Sequence, residues 1–149
     1  MAKAPFIVLM AEDDEHDIVA TKRAWKKHHV ANPLYIVNNG EECLDFLHQR
    51  GKYSEPDSAP RPGILLLDIN MPKMDGLTVL KHVREDQKFR HLPVVVLTTS
   101  KAEQDRIRSY DLGANAYIVK PVGFENFSAA VKTISLFWQL VELPEGRSS

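Results

Sequence analysis

The sequence has little cysteine, no excess of positive charge and no long apolar run, and each absence excludes a class of protein. The single cysteine, Cys43, rules out an intramolecular disulfide and leaves the usual zinc cages without thiolate ligands. A formal net charge of -1 lacks the basic excess of nucleic-acid-binding domains. The run "PFIVLMA" is too short to span a bilayer and meets acidic residues at once. We therefore expect a cytoplasmic protein that binds neither nucleic acid nor membrane.

The chain length and composition indicate one globular unit. It has 149 residues, 44% of them hydrophobic and 26% charged, as in ordinary globular domains. We expect a single domain over 1–149 with its core at about 5–141, an exposed loop at the Pro- and Ser-rich segment 51–63, and a short tail at 142–149. No room remains for an output domain after the last helix, so the output is expected to pass through a partner.

Five short apolar runs alternate with segments of helical length. The runs are uninterrupted, which is typical of strands covered on both faces, and lie at 6–11, 34–37, 64–67, 94–97 and 116–119. Helices are predicted at 15–29, 40–50, 76–88, 101–112 and 124–141. Ser100 and Glu103 match a capping box before the fourth helix, and Gly113 matches a helix stop. The alternation favours a parallel sheet with helices on both faces.

Charged and hydroxyl side chains follow four of the predicted strands. They are Glu12, Asp13 and Asp14 after the first strand, Asp68 after the third, Thr98 and Thr99 after the fourth, and Lys120 with Pro121 after the fifth. In an open parallel sheet, ligands bind outside the carboxyl ends of the strands, where the strand order reverses. The sequence therefore predicts one site at this edge.

The acids would repel one another at such a site. Two carboxylates about 4 Å apart repel by about 4 kcal/mol at an effective dielectric constant of about 20. A divalent cation would remove this cost, and oxygen ligands without His or Cys favour a hard ion such as Mg²⁺. The alternative is that the acids are solvated and cap the next helix. That interpretation suits Asp14, but it does not explain why Asp68 shares the edge of Glu12 and Asp13.

Four motifs resemble the receiver domains of two-component response regulators. "AEDD", "LLLDINMPKMDG", "PVVVLTTS" and "YIVKP" stand in the family's order and spacing, and the resemblance covers essentially the whole chain. It implies the doubly wound, flavodoxin-like (CheY-like) α/β fold, with five parallel strands in the order 2-1-3-4-5 and five helices. The long 51–63 segment and "FWQLVELP" are similar to single-domain regulators paired with bacterial phytochromes, especially cyanobacterial ones.

The resemblance also implies a reaction. Asp68 would accept a phosphoryl group from a sensor histidine kinase in an Mg²⁺-dependent transfer. The kinase would be a phytochrome-type light sensor. Asp13 would bind the metal directly, and Glu12 would be the second acid of the pair. Asp68 and the main-chain carbonyl of Asn70 would be the remaining protein ligands of the metal. The chain would then be a phosphoacceptor signalling protein rather than an enzyme, because it catalyses only its own phosphorylation and dephosphorylation.

The remaining implied roles concern charge neutralisation and switching. Lys120 would pair with one phosphoryl oxygen and Thr98 would hydrogen-bond another. Tyr117 matches the aromatic that changes rotamer on activation, so the fourth and fifth helices and the fifth strand would form the responding surface. The fourth helix, "KAEQDRIRSYDL", has few apolar anchors, which suits a shifting element.

The predicted last helix carries more apolar residues than one buried stripe requires. Phe137 and Leu140 lie outside the stripe, which consists of Phe124, Phe127, Val131, Ile134, Trp138 and Val141. We predict a homodimer through this helix and the neighbouring face. The alternative is a tail folded over its own core.

Three other functions are weighed against the receiver. An aspartate-nucleophile phosphatase needs a second Asp two residues after the first, but that position is Asn70. A flavin-binding protein needs a phosphate cradle after the first strand, where Glu12 and Asp13 would repel the phosphate. A pseudo-receiver that acts without phosphorylation stays open as an interaction module.

Overall fold

A computed structural model of the protein describes residues 5–133. Its strands are β1 (Val8–Ala11), β2 (Leu34–Val37), β3 (Ile64–Asp68), β4 (Val94–Thr98) and β5 (Ala116–Val119). Its helices are α1 (Glu15–Lys27), α2 (Gly40–His48), α3 (Gly76–Glu85), α4 (Lys101–Arg108) and α5 (Phe124–Thr133). All strand pairs are parallel, in the order β2-β1-β3-β4-β5, which confirms the predicted fold.

Part of the predicted last helix lies outside the described residues. The apolar residues in question are Ile134, Phe137, Trp138, Leu140 and Val141, and the predicted tail at 142–149 lies outside as well. Within residues 5–133, no helix has the length and apolar character needed to cross a membrane.

Two apolar layers enclose the sheet, because successive side chains of a strand point to opposite faces. In β3, Leu65 and Leu67 face the layer built by α2 and α3, while Ile64 and Leu66 face the layer that contains Phe127 of α5. Cys43 is fully buried in the first layer, and burial raises the pKa of its thiol to about 12. Cys43 is therefore part of the apolar core.

The edge strands are less buried than the sequence predicts. The central strands β1, β3 and β4 are buried at every residue, but only Val37 in β2 and Ile118 in β5 are. Each edge strand has a neighbour on one side only, so the surrounding layers cover it incompletely. An uninterrupted apolar run does not distinguish these two positions in a sheet.

The end of α4 also differs from its prediction. The Ser100 hydroxyl caps the helix by accepting from the Glu103 N–H at 3.1 Å. The helix ends at Arg108 with Ser109 as its cap, so Gly113 does not stop it. Gly113 has φ +89° and lies against Arg84, where a Cβ would approach the guanidinium Nε to 2.9 Å.

The segment 51–63 is tied to the domain at both ends. It begins with a short 3-10 helix, Gly51–Tyr53, and the side chain of Ala59 is buried. Tyr53 packs edge-on against Phe46, with ring centroids 5.0 Å apart, and donates its hydroxyl to Glu42 Oε2 at 2.6 Å. Residues 54–57 between these anchors are exposed.

Candidate functional site

Three carboxylates and one lysine meet at the carboxyl edge of the sheet. One carboxylate oxygen from each of Glu12, Asp13 and Asp68 lies within 4.8 Å of the other two. Lys120 reaches them from the end of β5, with its Nζ 3.2 Å from Glu12 Oε1 and 3.4 Å from Asp68 Oδ1. The predicted convergence of these residues is therefore present in the structure.

The loops after the strands hold the two buried acids in place. Glu12 Oε2 accepts a hydrogen bond from the Asp14 N–H at 3.0 Å, and Asp14 in turn caps α1. Asp68 Oδ1 accepts from the Asn70 N–H at 3.3 Å. Main-chain donors thus fix carboxylates that are 0% exposed at Glu12 and 1% exposed at Asp68.

Burial and mutual repulsion shift the proton affinities of this cluster. Burial raises the pKa of Glu12 to about 7, and the charge of Asp68 contributes to the rise. The pKa of Asp68 is also raised, mainly by burial, while the charge of Lys120 opposes the shift. Burial disfavours the ammonium form of Lys120, but its hydrogen bond with Asp17 and the charges of Asp68 and Glu12 together raise its pKa. The cluster gains from any bound cation, whether a proton or a metal ion.

The donor set fits a divalent metal ion. It consists of carboxylate oxygens from Glu12, Asp13 and Asp68, which are the ligands of hard cations. Asp13 is exposed, so the cluster is open to solvent on one side, while the other two acids are buried. Lys120 contacts the two buried acids, Glu12 and Asp68.

The two predicted switch residues lie on neighbouring strands. Thr98 is fully buried at the end of β4, and its hydroxyl lies 3.3 Å from the Ser100 carbonyl oxygen and 3.5 Å from that of Ile118. Tyr117 of β5 is half-buried, and the guanidinium carbon of Arg108 lies 4.4 Å from the centroid of its ring. The Thr98 hydroxyl therefore bonds the main chain in this structure.

Asp17 also belongs to the site, although it was not predicted from the sequence. Its Oδ2 lies 3.0 Å from Lys120 Nζ, nearer than either Glu12 or Asp68. An acid in the first turn of the helix that follows an acidic pair is the signal that could have indicated it. Such acids are common at helix N-termini for electrostatic reasons alone, so the signal is weak.

Glu103 makes contacts beyond the capping box that was predicted for it. The carboxylate Oε1 accepts from the Thr99 N–H at 2.7 Å and lies 3.1 Å from the Thr99 hydroxyl. Its Oε2 accepts from the side-chain amide of Asn70 at 3.2 Å. Burial opposes ionisation, but these hydrogen bonds lower the pKa of Glu103 below its ordinary value. The carboxylate bridges two loops instead of returning to the Ser100 N–H, as a capping box would require.

Comparison with known proteins agrees with the arrangement of this site. The model of the response regulator receiver domain family matches residues 8–132. The chain belongs to this family. The acid cluster and Lys120 of this receiver lie within the matched span, as do Thr98 and Tyr117.

The receiver is similar to phytochrome response regulators. The response regulator Rcp1 of Synechocystis sp. is 36% identical over 94% of this chain and 94% of its own length. A solved Mn²⁺-bound form of Rcp1 has a TM-score of 0.70, at 36% identity over 94% of this chain and 99% of that one. The bacteriophytochrome response regulator AtBRR has a TM-score of 0.85, at 41% identity over 93% of this chain and 99% of that one. Phosphorylated RcpA, a cyanobacterial phytochrome response regulator, has a TM-score of 0.71, at 37% identity over 91% and 94%.

Proposed function

We propose that this receiver accepts a phosphoryl group on Asp68 from the phosphohistidine of a sensor histidine kinase, in an Mg²⁺-dependent reaction. The observation that carries the proposal is a buried carboxylate, Asp68, with Lys120 Nζ 3.4 Å from its Oδ1 and two further acids beside it. The solved structures of Mn²⁺-bound Rcp1 and phosphorylated RcpA support this function for a similar chain.

In the transfer, an Asp68 oxygen attacks phosphorus, the nitrogen–phosphorus bond of the donor breaks, and the imidazole leaves with that electron pair. Lys120 offers its ammonium to an oxygen of the incoming group, which reduces the repulsion from Asp68. An Mg²⁺ ion held by Glu12, Asp13, Asp68 and the Asn70 carbonyl would supply the remaining charge neutralisation. Attack of water on the acyl phosphate later restores the carboxylate and releases phosphate.

The contacts of Thr98 and Tyr117 support a switch at these two residues. A phosphoryl group on Asp68 adds acceptor oxygens near the end of β4, and the Thr98 hydroxyl then exchanges its main-chain acceptors for one of them. This movement frees space beside β5, and Tyr117 leaves the guanidinium of Arg108. The surface of α4, β5 and α5 is thereby altered for a downstream partner.

A labelling experiment tests the proposal. Wild-type protein incubated with Mg²⁺ and acetyl phosphate should gain one phosphoryl group, whereas Asp68→Asn should gain none. Asp105→Asn, which removes an exposed charge from α4, is the matched control and should be labelled at the wild-type rate. Equal labelling of Asp68→Asn would contradict the proposal, and no labelling of the wild type would favour the pseudo-receiver.

The input is proposed to come from a phytochrome-type light sensor. The support is similarity to Rcp1, RcpA and AtBRR across nearly the whole chain. Phosphotransfer from candidate kinases, measured within seconds of mixing, should be faster from a bacterial phytochrome kinase than from unrelated kinases. Equal transfer from all of them would reject this assignment.

A homodimer through the last helix is also proposed. In the described part of α5, Phe127 and Val131 are buried in the receiver's own core, and Phe124 stacks on His28 with centroids 4.7 Å apart. The first half of the apolar stripe therefore packs within the receiver itself. The proposed dimer contacts would be made by the apolar residues after Thr133. Light-scattering mass should rise with protein concentration, with or without phosphorylation; a constant monomer mass in both states would rule the dimer out.

A further inference from the structure

Helix α4 is held to the domain by few apolar contacts. Of its eight residues, Ile107 alone is a buried residue. The other residues are charged, polar or small and are exposed or half-buried. The position of α4 therefore depends strongly on the polar contacts at its ends.

The N-terminal end of α4 contacts the acid site through one side chain. The Glu103 carboxylate accepts from the main chain of Thr99, which directly follows Thr98, and from the side chain of Asn70. The Glu103 side chain is only 16% exposed, although its partners Thr99 and Asn70 lie at the surface. Arg106 on the same helix pairs with the same carboxylate, but its Nη2 lies 4.0 Å from Glu103 Oε2, farther than the two loop donors.

Asn70 is held between this helix and the acid cluster. Its main-chain N–H donates to Asp68 Oδ1 at 3.3 Å, while its side-chain amide donates to Glu103 Oε2 at 3.2 Å. Any change that moves the main chain at Asn70 must therefore strain or release the contact with Glu103. A continuous path of hydrogen bonds joins Asp68 to α4.

We propose that Glu103 is a positioning residue that couples divalent-ion binding at the acid cluster to the position of helix α4. An ion bound by the cluster fixes the loop that carries Asn70, and Glu103 transmits that restraint to the helix. By linkage, the restraint of α4 strengthens ion binding by the same factor. The proposal rests on the proposed function only in placing the ion beside Asp68 and Asn70.

The test uses Mg²⁺ alone, without a phosphodonor. Affinity is measured by titration calorimetry, and amide hydrogen exchange of α4 is measured with and without the ion. Wild-type α4 should exchange more slowly with Mg²⁺ present. In Glu103→Ala, the affinity should fall about fivefold and α4 exchange should no longer respond to the ion.

Asp105→Ala is the matched control. It removes a carboxylate from the same helix, but Asp105 is exposed and, among residues 5–133, its side chain pairs with Lys101 alone, at 3.2 Å. This variant should keep both the wild-type affinity and the response of α4. Glu103→Gln, which keeps one acceptor for the Thr99 N–H, should restore part of the response.

Three outcomes would overturn the coupling: unchanged affinity in Glu103→Ala, an equal loss in Asp105→Ala, or wild-type α4 exchange that is insensitive to Mg²⁺. Failure of the phosphoacceptor proposal is recognised separately, because it appears as labelling of Asp68→Asn.

Discussion

The ammonium of Lys120 lies 3.0 Å from Asp17 Oδ2 and 3.4 Å from Asp68 Oδ1, so its nearest carboxylate belongs to helix α1. Asp17 thus competes with Asp68 for the lysine that is proposed to meet the phosphoryl group. It also adds a negative charge close to the path of an anionic donor. Asp17 should therefore restrain the reaction.

Asp17→Asn should increase the rate of labelling by acetyl phosphate by a few fold. The substitution frees Lys120 and removes one charge that repels the donor; a gain of about 1 kcal/mol corresponds to about fivefold in rate. The measurement is the initial rate of labelling at saturating Mg²⁺.

The control for Asp17→Asn is Glu15→Gln, which changes the charge of the same helical turn at an exposed residue. It should leave the rate near that of the wild type. A rate in Asp17→Asn equal to or below the wild-type value would show that Asp17 supports the reaction instead.

Metal binding should depend on pH because of Glu12. Its pKa is raised to about 7, so the carboxyl is protonated below that pH and the ion must displace the proton. Affinity for Mg²⁺ therefore rises with pH, by about tenfold from pH 6 to pH 8 for one displaced proton of pKa near 7. Calorimetry in two buffers of different ionisation enthalpy would count the released protons. Affinity that does not change over this interval would contradict the assignment of Glu12.

Gly76→Ala should destabilise the fold. A Cβ on Gly76 would overlap the main chain of Asp68 and Ile69, and both of these residues are buried. Overpacking of this kind costs about 1–3 kcal/mol in the free energy of unfolding. Gly123→Ala, where a Cβ meets nothing within 4 Å, should cost less than about 1 kcal/mol. Urea unfolding of both variants decides the matter, and equal losses would refute the packing argument.

Arg84→Lys should also lower stability, by about 1–3 kcal/mol. The guanidinium donates from Nε and Nη2 to the Gly113 carbonyl, at 2.9 and 2.6 Å, and from Nη1 to the Leu92 carbonyl at 2.8 Å. An ammonium group cannot reproduce this fork, so part of these acceptors would lose their donor. Arg90→Lys, at an exposed residue, should change the free energy of unfolding by less than about 0.5 kcal/mol. A full retention of stability in Arg84→Lys would contradict the inferred role.

Much of the fold could be predicted because its signals are local. Short apolar runs separated by helical segments predict parallel strands, and the motifs resemble one family closely enough to imply the strand order. The acids and the lysine could be placed at one edge because the carboxyl ends of parallel strands share that edge. Their positions after the predicted strands were sufficient to group Glu12, Asp13, Asp68 and Lys120 in one site.

Other features depended on packing between distant parts of the chain. The exposure of β2 and β5 follows from their place at the sheet edges, which similar apolar runs do not reveal. The early end of α4 at Arg108 left Gly113 free to pack against Arg84, although the glycine itself matched a helix stop. Local patterns cannot distinguish these roles, because the neighbours that decide them come from other elements.

The sequence by itself determined the α/β class, the family and the set of acids that meet at the sheet edge. Only the tertiary structure decided that Asp17 holds Lys120 and that Glu103 joins Asn70 to Thr99. The physical reason lies in the range of the interactions. Hydrophobic periodicity and strand ends are properties of neighbouring residues, whereas the contacts of Lys120 with Asp17 and of Asn70 with Glu103 require groups from separate elements to meet within about 3 Å.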